Sequence, residues 1–219
     1  MEPNIYPRPD GQPALEIFME RCGALSEPRV LELGAKRSIA ERSTLHHHYV
    51  PNAGQYFGTD IEAGADVDIV ADLHELTAVV EEETFDVVIS CSTFEHLKYP
   101  HLAAHEVMKV LKVGGLLFIE THQTFPLHAF PYDYFRFSRE ALAGLFGNNM
   151  GFKVVATEYM FPAMVCSPET PDAFQYPAFL NVRLFGEKLS GTPPEYAYEY
   201  DGKKPLTSHR EKSSEKRNQ

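Results

Sequence analysis

Between residues 121 and 137 the chain reads Thr-His-Gln-Thr-Phe-Pro-Leu-His-Ala-Phe-Pro-Tyr-Asp-Tyr-Phe-Arg-Phe. Two imidazoles, one carboxylate and one guanidinium are interleaved there with six aromatic rings. Imidazole titrates near neutrality, so His122 and His128 suit removal of a proton from a hydroxyl, with His122 preferred. Asp133 would orient an imidazole or bind a sugar hydroxyl. Arg136 would pin an anion beside Tyr134, or pair with Asp133 in a purely structural loop.

Other chemistry-bearing residues follow short apolar runs. Glu32 and Gly34 close Val30-Leu31-Glu32-Leu33-Gly34, Asp60 follows Gly58-Thr59, Asp72 with Leu73 follows Ile69-Val70-Ala71, and Ser90 ends Phe85-Asp86-Val87-Val88-Ile89. A carboxylate after a strand can accept from two ribose hydroxyls together, and a glycine lets backbone approach a ligand closely. Glu32, inside an apolar run, needs a partner: it faces a ligand or is neutralised by Arg29 or Arg37. Ser92-Thr93-Phe94-Glu95 has the spacing of a capping box, so Glu95 is read as a helix cap and His96 as a secondary candidate. The runs His46-His47-His48 and His101/His105 lack a third ligand at recognisable spacing, so no metal is expected. Cys91 reads as a small buried filler.

These groups need elements to place them. Apolar spacing predicts a helix over residues 14–22, and strands are predicted over 30–33, 55–59, 67–71, 85–90 and 115–121. A second helix is expected over 100–112, with Pro100 in its first turn and Gly114-Gly115 beyond its end. Ser38-Ile39-Ala40-Glu41 has capping-box spacing and predicts a helix after the first strand. A helix over 138–146 and strands over 152–158 and 179–185 complete the reading. Strands alternating with helices predict a single Rossmann-like, doubly wound α/β domain: a mostly parallel sheet with helices on both faces. In such a sheet, ligands bind beyond the carboxyl ends of the strands.

This ordered set resembles the class I S-adenosylmethionine-dependent methyltransferases, particularly the small methyltransferase-domain proteins. The resemblance runs over roughly residues 28–160, through Val30–Gly34, Gly58–Ile61, Asp68–Leu73, Phe85–Leu97 and Val110–Leu117. It implies S-adenosylmethionine as cofactor, with Glu32 and Gly34 lining its methionine part, Asp60 holding the ribose, Asp72 and Leu73 meeting the adenine, and Ser90 closing the floor. The segment from His122 to Phe137 is similar to the one that follows the fifth strand in related methyltransferases. The turn departs from the family at Ala35–Arg37, where further glycines are usual. The implied reaction is O-methylation of a small molecule or saccharide. A methyltransferase-like protein without activity, serving in binding or assembly, is the alternative. A nicotinamide-dependent oxidoreductase is a weaker one, since no Gly-x-Gly-x-x-Gly is present.

Composition narrows the classes. Of 219 residues, 31 are acidic and 20 basic, a net charge of −11. Residues 203–219 carry +4, which leaves −15 on the rest, and so acidic a body repels phosphates. Nucleic acid is therefore excluded as the expected partner, and no apolar run approaches membrane-span length. Three widely spaced cysteines, Cys22, Cys91 and Cys166, suit free thiols and a cytoplasmic setting. The expected organisation is an N-terminal flap and helix over 1–27, the methyltransferase-like domain over 28–186 and a polar tail over 187–219.

Overall fold

The structure, a computed structural model, describes residues 13–167, 169 and 177–197. Residues 1–12 of the expected N-terminal flap and residues 198–219 of the expected tail lie outside the described residues.

Seven strands form one open sheet in the order β3-β2-β1-β4-β5-β7-β6. They are β1 (Arg29–Leu33), β2 (Gln55–Asp60), β3 (Ile69–Val70), β4 (Phe85–Cys91), β5 (Leu111–His122), β6 (Phe152–Met164) and β7 (Pro177–Lys188). The first five are parallel; β7 runs antiparallel to both β5 and β6. Helices α1 (Ala14–Gly23), α2 (Pro100–Val110) and α3 (Arg139–Leu145) cover the two faces. The expected Rossmann-like architecture is thus the observed one.

Side-chain alternation along each strand builds two cores. Leu31, Leu33, Val88, Leu117, Ile119 and Leu184 pack against Ala103, Ala104, Val107 and Met108 of α2 and Leu142 of α3. On the opposite face, Val30, Val87, Ile89, Phe118 and Phe185 meet α1 through Phe18 and Cys22, joined by Tyr49 and Val50. The Phe18 ring stacks on Phe118 at 5.0 Å between centroids and leans on Phe185 at 5.7 Å.

Two local expectations change. No helix begins at Ser38: residues 35–46 are irregular, followed by one 3-10 turn at His47–Tyr49. The capping-box spacing there is not followed by an apolar stripe, and Ile39 stays exposed, so a helix would have nothing to bury. The loop is held instead by side chains. Arg37 makes a two-point ion pair with Asp66 and donates to the Ala40 carbonyl, while Thr44 donates to the Ala35 carbonyl. The sheet face left bare is covered by α1, from the chain before β1.

The strand expected from Gly115 begins at Leu111, directly after α2, and β3 shrinks to two residues. Gly114 adopts φ +83°, which lets the chain twist within that long β5. Ser138 caps α3 by accepting from the Ala141 N–H at 3.1 Å, as its sequence position suggests. Beyond β7, Tyr196 anchors the chain by donating to the Gly144 or Leu145 carbonyl.

Candidate active site at the carboxyl edge of the sheet

Parallel pairing brings the ends of β1 to β5 to one edge. Gly34 follows β1, Asp60 ends β2, Asp72 follows β3, Ser90 lies near the end of β4, and His122 ends β5. The Ala71 N–H donates to the Asp60 carbonyl, which sets the two acidic segments side by side.

Gly34 adopts φ +71°, and a Cβ there would lie 2.2 Å from Thr93 Oγ1. The glycine is demanded by both the turn and the neighbour. Asp60 accepts from the Lys36 and Glu62 backbone N–H groups, each at 3.1 Å, so it fixes the turn after β1 while staying at the edge. Lys36 pairs with Glu62 above it. Asp72 caps the 3-10 turn that carries Leu73, accepting from the His74 N–H and lying 2.6 Å from His74 Nδ1. Ser90 is fully buried, in register with Leu33 and Ile119, and its hydroxyl has no protein partner.

Glu32 corrects one expectation. It shares the α1 face with Val30, is 2% exposed, and is neutralised by neither Arg29 nor Arg37. It accepts from the His46 N–H at 2.8 Å and from the Tyr56 hydroxyl, and lies 2.6 Å from His46 Nδ1. Burial and the Glu32 charge push the Tyr56 phenol far above its ordinary range. Glu32 therefore pins the 46–49 turn to the sheet, and its carboxylate is engaged there. Arg29 lies over the Phe57 and Phe85 rings instead.

The second correction concerns Glu95, read from spacing as a helix cap. Thr93 is the residue before the 3-10 turn Phe94–His96, and no side chain caps it. Glu95 is fully buried, with Oε2 accepting from Thr121 Oγ1 at 2.7 Å and Oε1 lying 3.1 Å from His122 Nδ1. Its backbone carbonyl accepts from the Tyr134 and Phe135 N–H groups, which ties the 123–137 loop across the end of β4. A buried acid followed by histidine in an apolar turn after a strand was the available signal. Its capping-box spacing offered a local explanation that the fold does not use.

His122 and His128 do come together, their ring centroids 4.7 Å apart and Phe125 stacked on His122 at 3.9 Å. His96 reaches the same cluster, 4.8 Å from His128. Burial, helped by the charges of His128 and Arg136, lowers the His122 pKa to about 4, so the ring is neutral at pH 7. Burial moves the Glu95 carboxyl the other way, above its ordinary value.

Asp133 and Arg136 pair with each other, as the structural alternative for this loop requires. The contacts are 2.5 and 2.9 Å, and Asp133 also accepts from the His128 N–H. Hydrogen bonding from Arg136 holds the Asp133 carboxyl well below the usual carboxylate range, which makes it a weak proton acceptor. Arg136 donates further to the Phe125, Pro126 and Phe135 carbonyls, so its guanidinium closes the loop instead of facing an anion. Tyr134 is partly exposed on the same loop. Two surface cavities, lined by Phe146 and Phe152 or by Arg29 and Phe85, lie away from this edge.

Comparison with known proteins agrees with the fold. Residues 43–119 match the family described as methyltransferase domain. No curated protein matches the sequence. Among solved structures, a Burkholderia thailandensis 1,6-didemethyltoxoflavin-N1-methyltransferase with bound 1,6-didemethyltoxoflavin and S-adenosylhomocysteine superposes with a TM-score of 0.53. Its identity is 16%, over 82% of this chain and 78% of that one. The CurJ carbon methyltransferase gives 0.53 at 16% identity, over 81% of this chain and 54% of that one. The [4+2]-cyclase SpnF gives 0.51 at 14% identity, over 81% and 80%. The fold is shared with all three, while the 123–137 loop lies beyond the matched family span.

Proposed function

With a methyltransferase domain matched over residues 43–119 as the premise, we propose that the chain transfers a methyl group from S-adenosylmethionine to a hydroxyl of a small molecule or saccharide. What carries the reading is that two carboxylates, Asp60 and Asp72, share a sheet edge with a buried Glu95–His122 pair, an arrangement suited to gripping a nucleoside. The donor set suits the cofactor. Asp60 would accept from ribose hydroxyls, Asp72 beside core-packed Leu73 would meet the adenine, and the Ser90 hydroxyl has no protein partner. Gly34 keeps the turn after β1 low beside them.

When bound, S-adenosylmethionine supplies an electrophilic methyl and its own leaving group, so the protein's task is alignment and exclusion of water. The 123–137 loop, tied down through the Glu95 carbonyl, walls the acceptor side with Phe125. His122 is neutral at pH 7 and offers a lone pair. On taking the acceptor's proton it becomes a cation 3.1 Å from Glu95, and that charge pair favours the transfer. His128 and Tyr134 are the neighbouring contacts for the acceptor.

Calorimetry with S-adenosylhomocysteine, followed by labelled methyl transfer onto candidate acceptors, tests the reading. Asp60→Ala should weaken binding at least tenfold, while His122→Ala should spare binding and reduce turnover. Absence of heat and of thermal shift at millimolar ligand overturns it.

A second reading is a methyltransferase-like binding protein without activity. The filled turn at Ala35–Arg37, with the Lys36–Glu62 pair across it, favours that reading. The same calorimetry separates the two.

A further inference from the structure

Three buried polar atoms of neighbouring residues lack a hydrogen-bond partner: Glu95 Oε1, His122 Nδ1 and His128 Nδ1, the last lying 3.8 Å from Asp133 Oδ1. Leaving even one such group unsatisfied costs about 1–3 kcal/mol. Glu95 Oε1 and His122 Nδ1 are 3.1 Å apart, yet not aligned for a hydrogen bond. One ligand atom from each of Glu95, His122 and His128 falls within 4.8 Å of the others.

The surroundings are arranged as a metal's supporting groups are. The second oxygen of Glu95 is held by Thr121 Oγ1 at 2.7 Å, which fixes the carboxylate plane. His96 Nδ1 lies 2.7 Å from the Tyr132 carbonyl, an acceptor only, so that nitrogen carries the proton and Nε2 keeps its lone pair. That Nε2 is 3.9 Å from Glu95 Oε1.

We propose that Glu95, His122 and His128 bind one divalent first-row transition cation of the zinc type, with His96 at the mouth as a fourth ligand. Imidazole nitrogens with one carboxylate are a donor set for zinc, cobalt or iron, whereas magnesium and calcium prefer all-oxygen sites. Tetrahedral bonds of about 2.1 Å put neighbouring ligand atoms about 3.4 Å apart. Glu95 and His122 already stand near that spacing at 3.1 Å, and His128 needs to close by at most about 1.4 Å from the 4.8 Å limit. His128 sits on the partly exposed 123–137 loop, where Ala129 has φ +51°, so cation binding draws that loop onto the sheet edge.

This deepens the acceptor reading and rests on it only for the cation's role. The cation and the proton-accepting role of His122 compete for imidazole lone pairs. An acceptor hydroxyl that displaced His96 from the cation would become acidic and pass its proton to the freed His96 Nε2.

The test uses the full chain, freed of metal with a chelator and titrated with cobalt(II). One equivalent should give the visible absorption of a four- or five-coordinate site, bleached by zinc(II) and accompanied by a higher Tm. Glu95→Gln, His122→Gln and His128→Gln should each weaken cobalt binding at least tenfold. His128→Gln lies on the loop and leaves the core intact. His47→Gln, in the other histidine run, should leave cobalt binding unchanged. No cobalt spectrum, or binding lost in His47→Gln and kept in His128→Gln, overturns the site. Calorimetry with S-adenosylhomocysteine on the same samples separates the two claims: binding without cobalt uptake removes only the cation, and cobalt uptake without binding removes only the methyltransferase reading.

Discussion

Gly34 and Thr93 meet so closely that a methyl group on Gly34 would fall 2.2 Å from the threonine hydroxyl. That hydroxyl donates to the Leu33 carbonyl at 3.1 Å, so the turn after β4 fastens the end of β1. Gly34→Ala combines a disfavoured φ with this clash and should cost roughly 2–4 kcal/mol. Urea denaturation measures it, and Gly34→Ala/Thr93→Gly should recover only the steric part.

The Asp60 carboxylate accepts two backbone N–H groups at a partly exposed edge. Asp60→Asn keeps much of that geometry and should lower stability by about 1 kcal/mol or less. Its effect on S-adenosylhomocysteine affinity should be severalfold larger than its effect on folding. A thermal melt beside a calorimetric titration shows whether the two losses separate.

Buried Glu32 holds His46 and the Tyr56 hydroxyl together. Tyr56→Phe removes one charged hydrogen bond and should cost about 1.5–3 kcal/mol. Glu32→Gln should cost more, because His46 loses its carboxylate as well. A double-mutant cycle on equilibrium unfolding should give a coupling of at least about 1 kcal/mol, and additivity would remove Glu32 from this role.

His122 has its pKa lowered to about 4, against an ordinary 6.5. Between those values the unfolded chain binds more protons than the folded one, so its contribution to stability is present above pH 6.5 and is lost as pH falls toward 4. The loss is up to about 3 kcal/mol. Glu95, raised by burial, works in the opposite sense above the ordinary glutamate value. His96, His128, Asp133 and Arg136 surround the pair. Wild type should therefore lose more stability than His122→Gln on going from pH 6.5 to pH 4, read as the difference in Tm across that range. Equal pH profiles would contradict a buried neutral imidazole.

Phe18 is fully buried between Phe118 and Phe185, and it carries α1 on a sheet face that, among the described residues, no helix after β1 covers. Phe18→Ala should cost about 3–5 kcal/mol. Chemical denaturation checks this, and a loss under 1 kcal/mol would show that α1 is only loosely docked.

Much of the fold was legible because it is encoded locally. Val30–Leu33 and Phe85–Ile89 are short apolar runs, broken only by Glu32 and Asp86, that suit a sheet buried on both faces, and the Pro100 start of α2 is set by backbone chemistry. The Ser38 helix failed for the converse reason: a capping signal without an apolar stripe has no tertiary packing to stabilise it.

The sequence by itself determined the order of the strands, and hence which residues, Gly34, Asp60, Asp72 and His122, end at the carboxyl edge. Only the tertiary structure decided which of them meet. Glu95 and His122 are 27 positions apart, and their approach depends on β4 and β5 lying in register. Likewise, Glu32 turned to His46 and Tyr56 because strand alternation put it on the α1 face. Pairing between strands and burial against a distant helix are non-local energies, and no spacing along one chain segment records them.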